Sequence, residues 1–120
     1  PEDMKHYVII ALGSNRQQTV HIQWASERLE EMLSDCRMSR TIWTDDIKGS
    51  GKKYLNRLVC GTTTLSVETL ERELKQMEVI RKRTKEQVTL DLDLMQYDQQ
   101  RYHEKDWPRP YIQQLIPDII

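Results

Sequence analysis

The chain has 120 residues, 38% of them hydrophobic and 31% charged, and a mean hydropathy of -0.74, which suits one domain with a strongly polar surface. Its 18 basic and 19 acidic residues leave a formal net charge of -1, so there is no global attraction to nucleic acid or to an anionic membrane. No apolar run reaches the ~18 residues of a membrane span and no signal-peptide pattern opens the chain, so a cytoplasmic protein is expected.

His6 to Leu12 (HYVIIAL) reads as a buried strand, ended by the turn residues Gly13-Ser14-Asn15. From Gln18 to Ser34 the apolar residues Ile22, Ala25, Leu29, Met32 and Leu33 follow helical spacing, with charges between them. Met38 to Thr44 (MSRTIWT) predicts a second strand, and Asp45 to Lys53, with two Gly, predicts a mobile loop. Tyr54 to Leu65 is the third predicted strand. Ser66 is placed to cap a second helix, with Glu68 in its first turn and Val67, Leu70, Leu74 and Met77 as its core stripe, running to about Val79 or Ile80.

Arg81 to Gln87 is a basic turn leading into a fourth strand, Val88 to Met95. Beyond Asp98, Trp107, Pro108 and Pro110 argue against regular structure, although Ile112, Leu115 and Ile116 keep helical spacing. The order β-α-β-β-α-β predicts an α+β, ferredoxin-like fold: a four-stranded antiparallel sheet with two helices on one face and the other face open. One domain over 1–120 is expected, with its core in 6–98 and an irregular tail in 99–120. Cys36 and Cys60 lack metal-ligand spacing and read as reduced, partly buried thiols.

The most specific chemistry lies in the fourth strand. Side chains alternate along a strand, so Leu90, Leu92 and Leu94 point to one face, and Asp91, Asp93 and Met95 to the other. The two carboxylates then stand roughly 6.5–7 Å apart at the Cα level on one face, where their repulsion disfavours the strand. Two readings fit: an exposed face that tolerates charge, or a site for a hard divalent cation such as Mg2+.

Leu12-Gly13-Ser14-Asn15 after strand one, Tyr54-Leu55-Asn56 opening strand three, and Arg81-Lys82-Arg83 ahead of Thr89-Leu90-Asp91-Leu92-Asp93-Leu94-Met95 form an ordered series. That series, over about residues 6–98, resembles the 6-hydroxymethyl-7,8-dihydropterin pyrophosphokinase family of folate biosynthesis. The resemblance implies ATP and Mg2+ as co-substrate and cofactor, and pyrophosphoryl transfer to a pterin hydroxymethyl group. It implies Asp91 and Asp93 as metal ligands, and catalytic roles for them and for Arg81 and Arg83. Glu78, Arg81 and Arg83 fall on its nucleotide side, and Gly13, Thr44, Tyr54 and Asn56 at its pterin positions. Taken without the resemblance, Gly13-Ser14-Asn15 is also an ordinary turn, Tyr54 a packing residue and the two Arg a solvated helix end.

The chain also departs from the family pattern. Lys85-Glu86-Gln87-Val88 stands where members carry Trp-Gly-Pro-Arg, and Arg109 stands where a His follows Pro. A second reading is therefore a non-catalytic ligand-binding or regulatory descendant of the fold. RNA binding has little support, because the chain has no Phe and no basic excess. His6, His21 and His103 show no metal spacing relative to one another, and His21 reads as exposed on its helix. Ser14 has no recognisable base partner, and Trp24, Trp43 and Trp107 read as core or rim residues.

Overall fold

A computed structural model describes residues 4–120, so residues 1–3 of the expected domain lie outside the described part. β1 (His6–Ser14) is followed by α1 (Gln18–Met32), then β2 (Ser34–Met38) and β3 (Ile42–Asp45). Next come β4 (Lys53–Thr63), α2 (Val67–Ile80), β5 (Asp91–Tyr97), β6 (Gln100–Arg101), α3 (Pro110–Leu115) and a 3-10 turn, Ile116–Asp118. The antiparallel sheet runs β2-β4-β1-β5-β6, with β3 also paired to β4. Among the described residues no helix is long and apolar enough to cross a membrane.

The sheet has six strands where four are expected. The expected second strand splits because Ser39 leaves the ladder: its backbone N–H donates to Leu58 O, while its hydroxyl accepts from Leu58 N at 2.8 Å. The register along β4 slips by one residue across that break, from Met38 opposite Val59 to Ile42 opposite Asn56. The sixth strand is a two-residue hairpin arm, Gln100–Arg101, folded back on the end of β5. β5 itself starts at Asp91 rather than Val88, because Asn15 takes the backbone of Val88: Asn15 N donates to Val88 O (2.8 Å) and Val88 N to Asn15 Oδ1 (2.9 Å).

Ser66 caps α2, its side chain accepting from Thr69 N. Gly61 is required where β2 meets β4, since a Cβ there would stand 2.9 Å from Ser34 O and 3.0 Å from Leu33 Cβ. Residues 45–53 form a hairpin turn between β3 and β4, with Gly49 and Gly51 at positive φ of 74° and 84°.

The two faces of the sheet bury different partners. Val8, Ile10, Leu12, Val59, Leu92 and Leu94 pack against Ile22, Ala25 and Leu29 of α1 and Leu70, Leu74 and Met77 of α2. The opposite face is not left open. Ile9, Ala11, Leu58, Cys60 and Met95 are covered by Trp107, Ile112, Leu115 and Ile119 of the C-terminal segment. The tail expected to be irregular is thus a docked helix and 3-10 turn, fixed further by Cys60 Sγ donating to Ile119 O and Arg40 N donating to Asp118. It covers only part of that face. Continuing the same alternation, Gly13 on β1, Tyr54 and Asn56 on β4, and Asp91 and Asp93 on β5 lie beyond its edge.

Candidate active site

The uncovered part of the face is built at the point where three strands meet. Gly13 pairs with Asn56 on one side and Asp91 on the other. A Cβ at Gly13 would stand 3.6 Å from Asn56 Oδ1, 3.6 Å from Tyr54 Cδ2 and 4.0 Å from Asp91 Cβ. The glycine therefore joins a neutral polar group of residues to an acidic one.

The neutral side is held by its own hydrogen bonds. Asn56, buried, donates from Nδ2 to Thr44 Oγ1 at 2.9 Å and to Ile42 O at 3.2 Å. Its Oδ1 faces the Gly13 floor. Thr44 pairs with Tyr54 in the β3–β4 register, and Tyr54 Oη accepts from Asn15 Nδ2 at 3.3 Å. Burial raises the Tyr54 hydroxyl pKa, with the Asp46 charge adding to the shift. The phenol is thus a neutral hydrogen-bonding group here.

The acidic side carries Asp91 and Asp93, both about one-third exposed. Arg83 Nη1 stands 2.9 Å from Asp91 Oδ1 and 2.9 Å from Glu78 Oε2. Glu78 is buried, and the same Oε2 accepts from Leu92 N at 2.8 Å, tying α2 to β5. Burial opposes the Arg83 charge, but Asp91 and Glu78 outweigh it and raise its pKa. At Asp93, burial, and then the Asp91 charge, outweigh the opposing effect of His103 and push the carboxyl up to about 7. Thr89 Oγ1, two residues before Asp91, is buried and has no hydrogen-bond partner among the described residues.

A half-buried carboxylate pair with one strongly raised pKa has the donor set that a hard cation stabilises, since such ions take oxygen ligands and carry the missing positive charge. The residues present therefore fit Mg2+.

Arg81 is placed elsewhere. Its Nε donates to His21 Nδ1 at 2.9 Å, and its guanidinium carbon lies 4.6 Å over the Trp24 ring, so it is engaged by α1. His21, expected to be exposed, is buried by this arrangement. Burial lowers the His21 pKa, and the Arg81 charge lowers it further. Arg109 likewise turns inward in its own segment, with Nε 2.7 Å from Asp106 Oδ1.

Two residues that the sequence did not single out together join the acidic side. His103 Nε2 stands 3.8 Å from Asp93 Oδ1, and ligand atoms of Asp93, His103 and Asp106 all lie within 4.8 Å of one another. Only the β5–β6 hairpin and the docked tail bring 103–106 back to Asp93, so local spacing carries no sign of it.

The sequence profile of the 7,8-dihydro-6-hydroxymethylpterin-pyrophosphokinase (HPPK) family matches residues 9–119. The chain belongs to this family. The match runs from within β1 through α3, including the tail that the resemblance at 6–98 leaves out. No individual curated protein matches the chain. As an HPPK-family member it keeps a mixed α+β architecture, with three α-helices and a six-stranded antiparallel sheet among the described residues.

Proposed function

We propose that this HPPK-family protein works as a single domain over residues 1–120 that transfers a pyrophosphoryl group from ATP to the hydroxyl of 6-hydroxymethyl-7,8-dihydropterin, in folate biosynthesis. One juxtaposition supports the reading most: Gly13 sets the neutral Thr44–Tyr54–Asn56 group directly beside the acidic Asp91. A flat heterocycle with amide-like edges suits the first, and a metal-bearing polyphosphate suits the second.

In this reading the pterin hydroxyl oxygen bonds to the β-phosphorus as the bond to the α,β-bridging oxygen breaks. AMP leaves with that electron pair, and the hydroxyl proton passes to solvent. Asn56 Oδ1 and Tyr54 orient the ring, and the absence of a side chain at Gly13 lets it approach the sheet. Arg83 uses one nitrogen on Glu78 and Asp91 and keeps further N–H donors for phosphate oxygens. Asp91 and Asp93 would hold Mg2+, which supplies charge neutralisation to the phosphates and favours an in-line displacement.

Arg81 held on Trp24 and Arg109 held on Asp106 favour a second reading, a ligand-binding descendant that does not turn over. AMP formation from ATP, with and without the pterin, separates the two. AMP that forms only when the pterin and Mg2+ are both present is the expected result. Protein that binds the pterin yet forms no AMP would overturn the catalytic reading in favour of the second.

A further inference from the structure

Beyond the pair of aspartates, we propose that Asp93, His103 and Asp106 form a binding site for one borderline divalent transition-metal ion, with an imidazole nitrogen and two carboxylate oxygens as ligands. The donor atoms lie within 4.8 Å of one another, on β5 and on the turn that follows β6. The 3.8 Å between His103 Nε2 and Asp93 Oδ1 is too long for a hydrogen bond. It falls within the range of about 3 to 4.2 Å that separates two ligands held about 2.1 Å from one shared ion.

The turn that carries the two new ligands is anchored. Trp107 is buried against the sheet, and its Nε1 donates to Tyr102 O at 3.0 Å. Asp106 N donates to His103 O at 2.8 Å, which sets the two side chains of the turn together. Arg109 engages Asp106 Oδ1, leaving the other carboxylate oxygen for an ion. Such a site lies beside Arg83 and Asp91 but does not use them.

The mixed donor set decides the class of ion. Imidazole nitrogen is a good ligand for Co2+, Ni2+ and Zn2+ and a poor one for Mg2+, which prefers oxygen. The cluster therefore selects transition ions over Mg2+. The site shares Asp93 with the proposed Mg2+ pair but needs no nucleotide and no pterin, so its test is separate from that of the pyrophosphokinase reading.

Co2+ is the probe: its visible absorption reports a nitrogen-containing site, and calorimetry gives its affinity, both in metal-stripped protein without nucleotide. His103 has a φ of 53°, so His103→Asn removes the imidazole with a residue that accepts left-handed backbone. The wild type should bind one Co2+, and His103→Asn should weaken it by at least about ten-fold without weakening Mg2+ binding. Asp106→Asn should weaken Co2+ in the same direction, while Asp91→Asn should keep the Co2+ absorption band. No Co2+ binding by the wild type, or equal Co2+ affinity in His103→Asn, would overturn the proposal. Co2+ binding as described in a protein that forms no AMP would instead leave this site standing and remove the pyrophosphokinase reading.

Discussion

One face of the sheet carries two regions that differ in nearly every physical respect. At one end Ile9, Ala11, Leu58, Cys60 and Met95 are apolar, buried and covered by the C-terminal segment. At the other end the same three strands present Gly13, Tyr54, Asn56, Asp91 and Asp93, beyond the cover. Apart from one β-bulge, where Ile9 pairs with Gln96 and Ile10 with Leu94, the alternation holds along this face from Met95 to Asp91, so the contrast comes from which side chains occupy the outward positions. The covered end gains stability from burial. The uncovered end partly buries a carboxylate beside a second one at some cost: burial, and then the Asp91 charge, raise the Asp93 pKa. Stability and chemistry are thus separated along the strands rather than between domains.

The sharpest test of that separation exchanges charge for amide at the uncovered end. Asp91→Asn/Asp93→Asn should lower kcat by at least about 10^3-fold, about 4 kcal/mol, since metal-held charge neutralisation is lost. Its circular dichroism should match the wild type; a collapsed spectrum would show that the pair is structural. At the covered end Leu115→Ala, at a side chain with no exposure, should destabilise by about 3 kcal/mol in urea unfolding. Its pterin affinity, measured below the transition, should stay near the wild-type value. Loss of pterin binding by a still-folded Leu115→Ala protein would join the two regions that the account separates.

Glu78→Ala lies at the boundary. It removes the acceptor for Leu92 N and one partner of Arg83, and should cost about 2 kcal/mol. An unchanged urea midpoint would contradict the bridging role.

Asp93→Asn carries a pH signature in metal-free protein. A carboxyl whose pKa is raised on folding, here to about 7, binds more protons folded than unfolded. Its cost is absent below the unfolded value of about 4 and grows as pH rises toward 7. With chelator present, Asp93→Asn should match the wild-type melting temperature near pH 4 and exceed it near pH 8. Discounted for partial exposure, the gain is about 1 kcal/mol. A gain that is the same at both pH values would rule out the charge explanation. Smallest of all in stability is Gly13→Ala, whose Cβ meets nothing closer than 3.6 Å. It should change unfolding by no more than about 0.5 kcal/mol while weakening pterin binding, which fluorescence titration would detect. Unchanged pterin affinity would remove Gly13 from the floor.

Features set by short-range periodicity were readable in the sequence. Leu92 and Leu94 against Asp91, Asp93 and Met95 follow from strand alternation, and Ser66 follows from cap chemistry. What escaped depends on distant partners. Asn15 removes Val88 from the strand, Ser39 splits an edge strand, and Trp107 finds the sheet only through the tail's return. Ile112, Leu115 and Ile116 showed helical spacing but not what they would cover. His21 had a visible sign, since it lies one turn from Ala25 on the buried stripe of α1, yet its partner Arg81 is sixty positions away. His103 and Asp106 had none, because Asp93 meets them through a hairpin and a docked segment.

The most direct measurement is a backbone-amide NMR titration with 6-hydroxymethyl-7,8-dihydropterin and a non-hydrolysable ATP analogue with Mg2+. Shifts at Gly13, Asn15, Tyr54, Asn56 and Asp91, with Cys60, Ile112 and Leu115 unmoved, are the predicted result. Shifts centred on the tail-covered end, or on the α1–α2 face with Gly13 and Asn56 unmoved, would contradict the account.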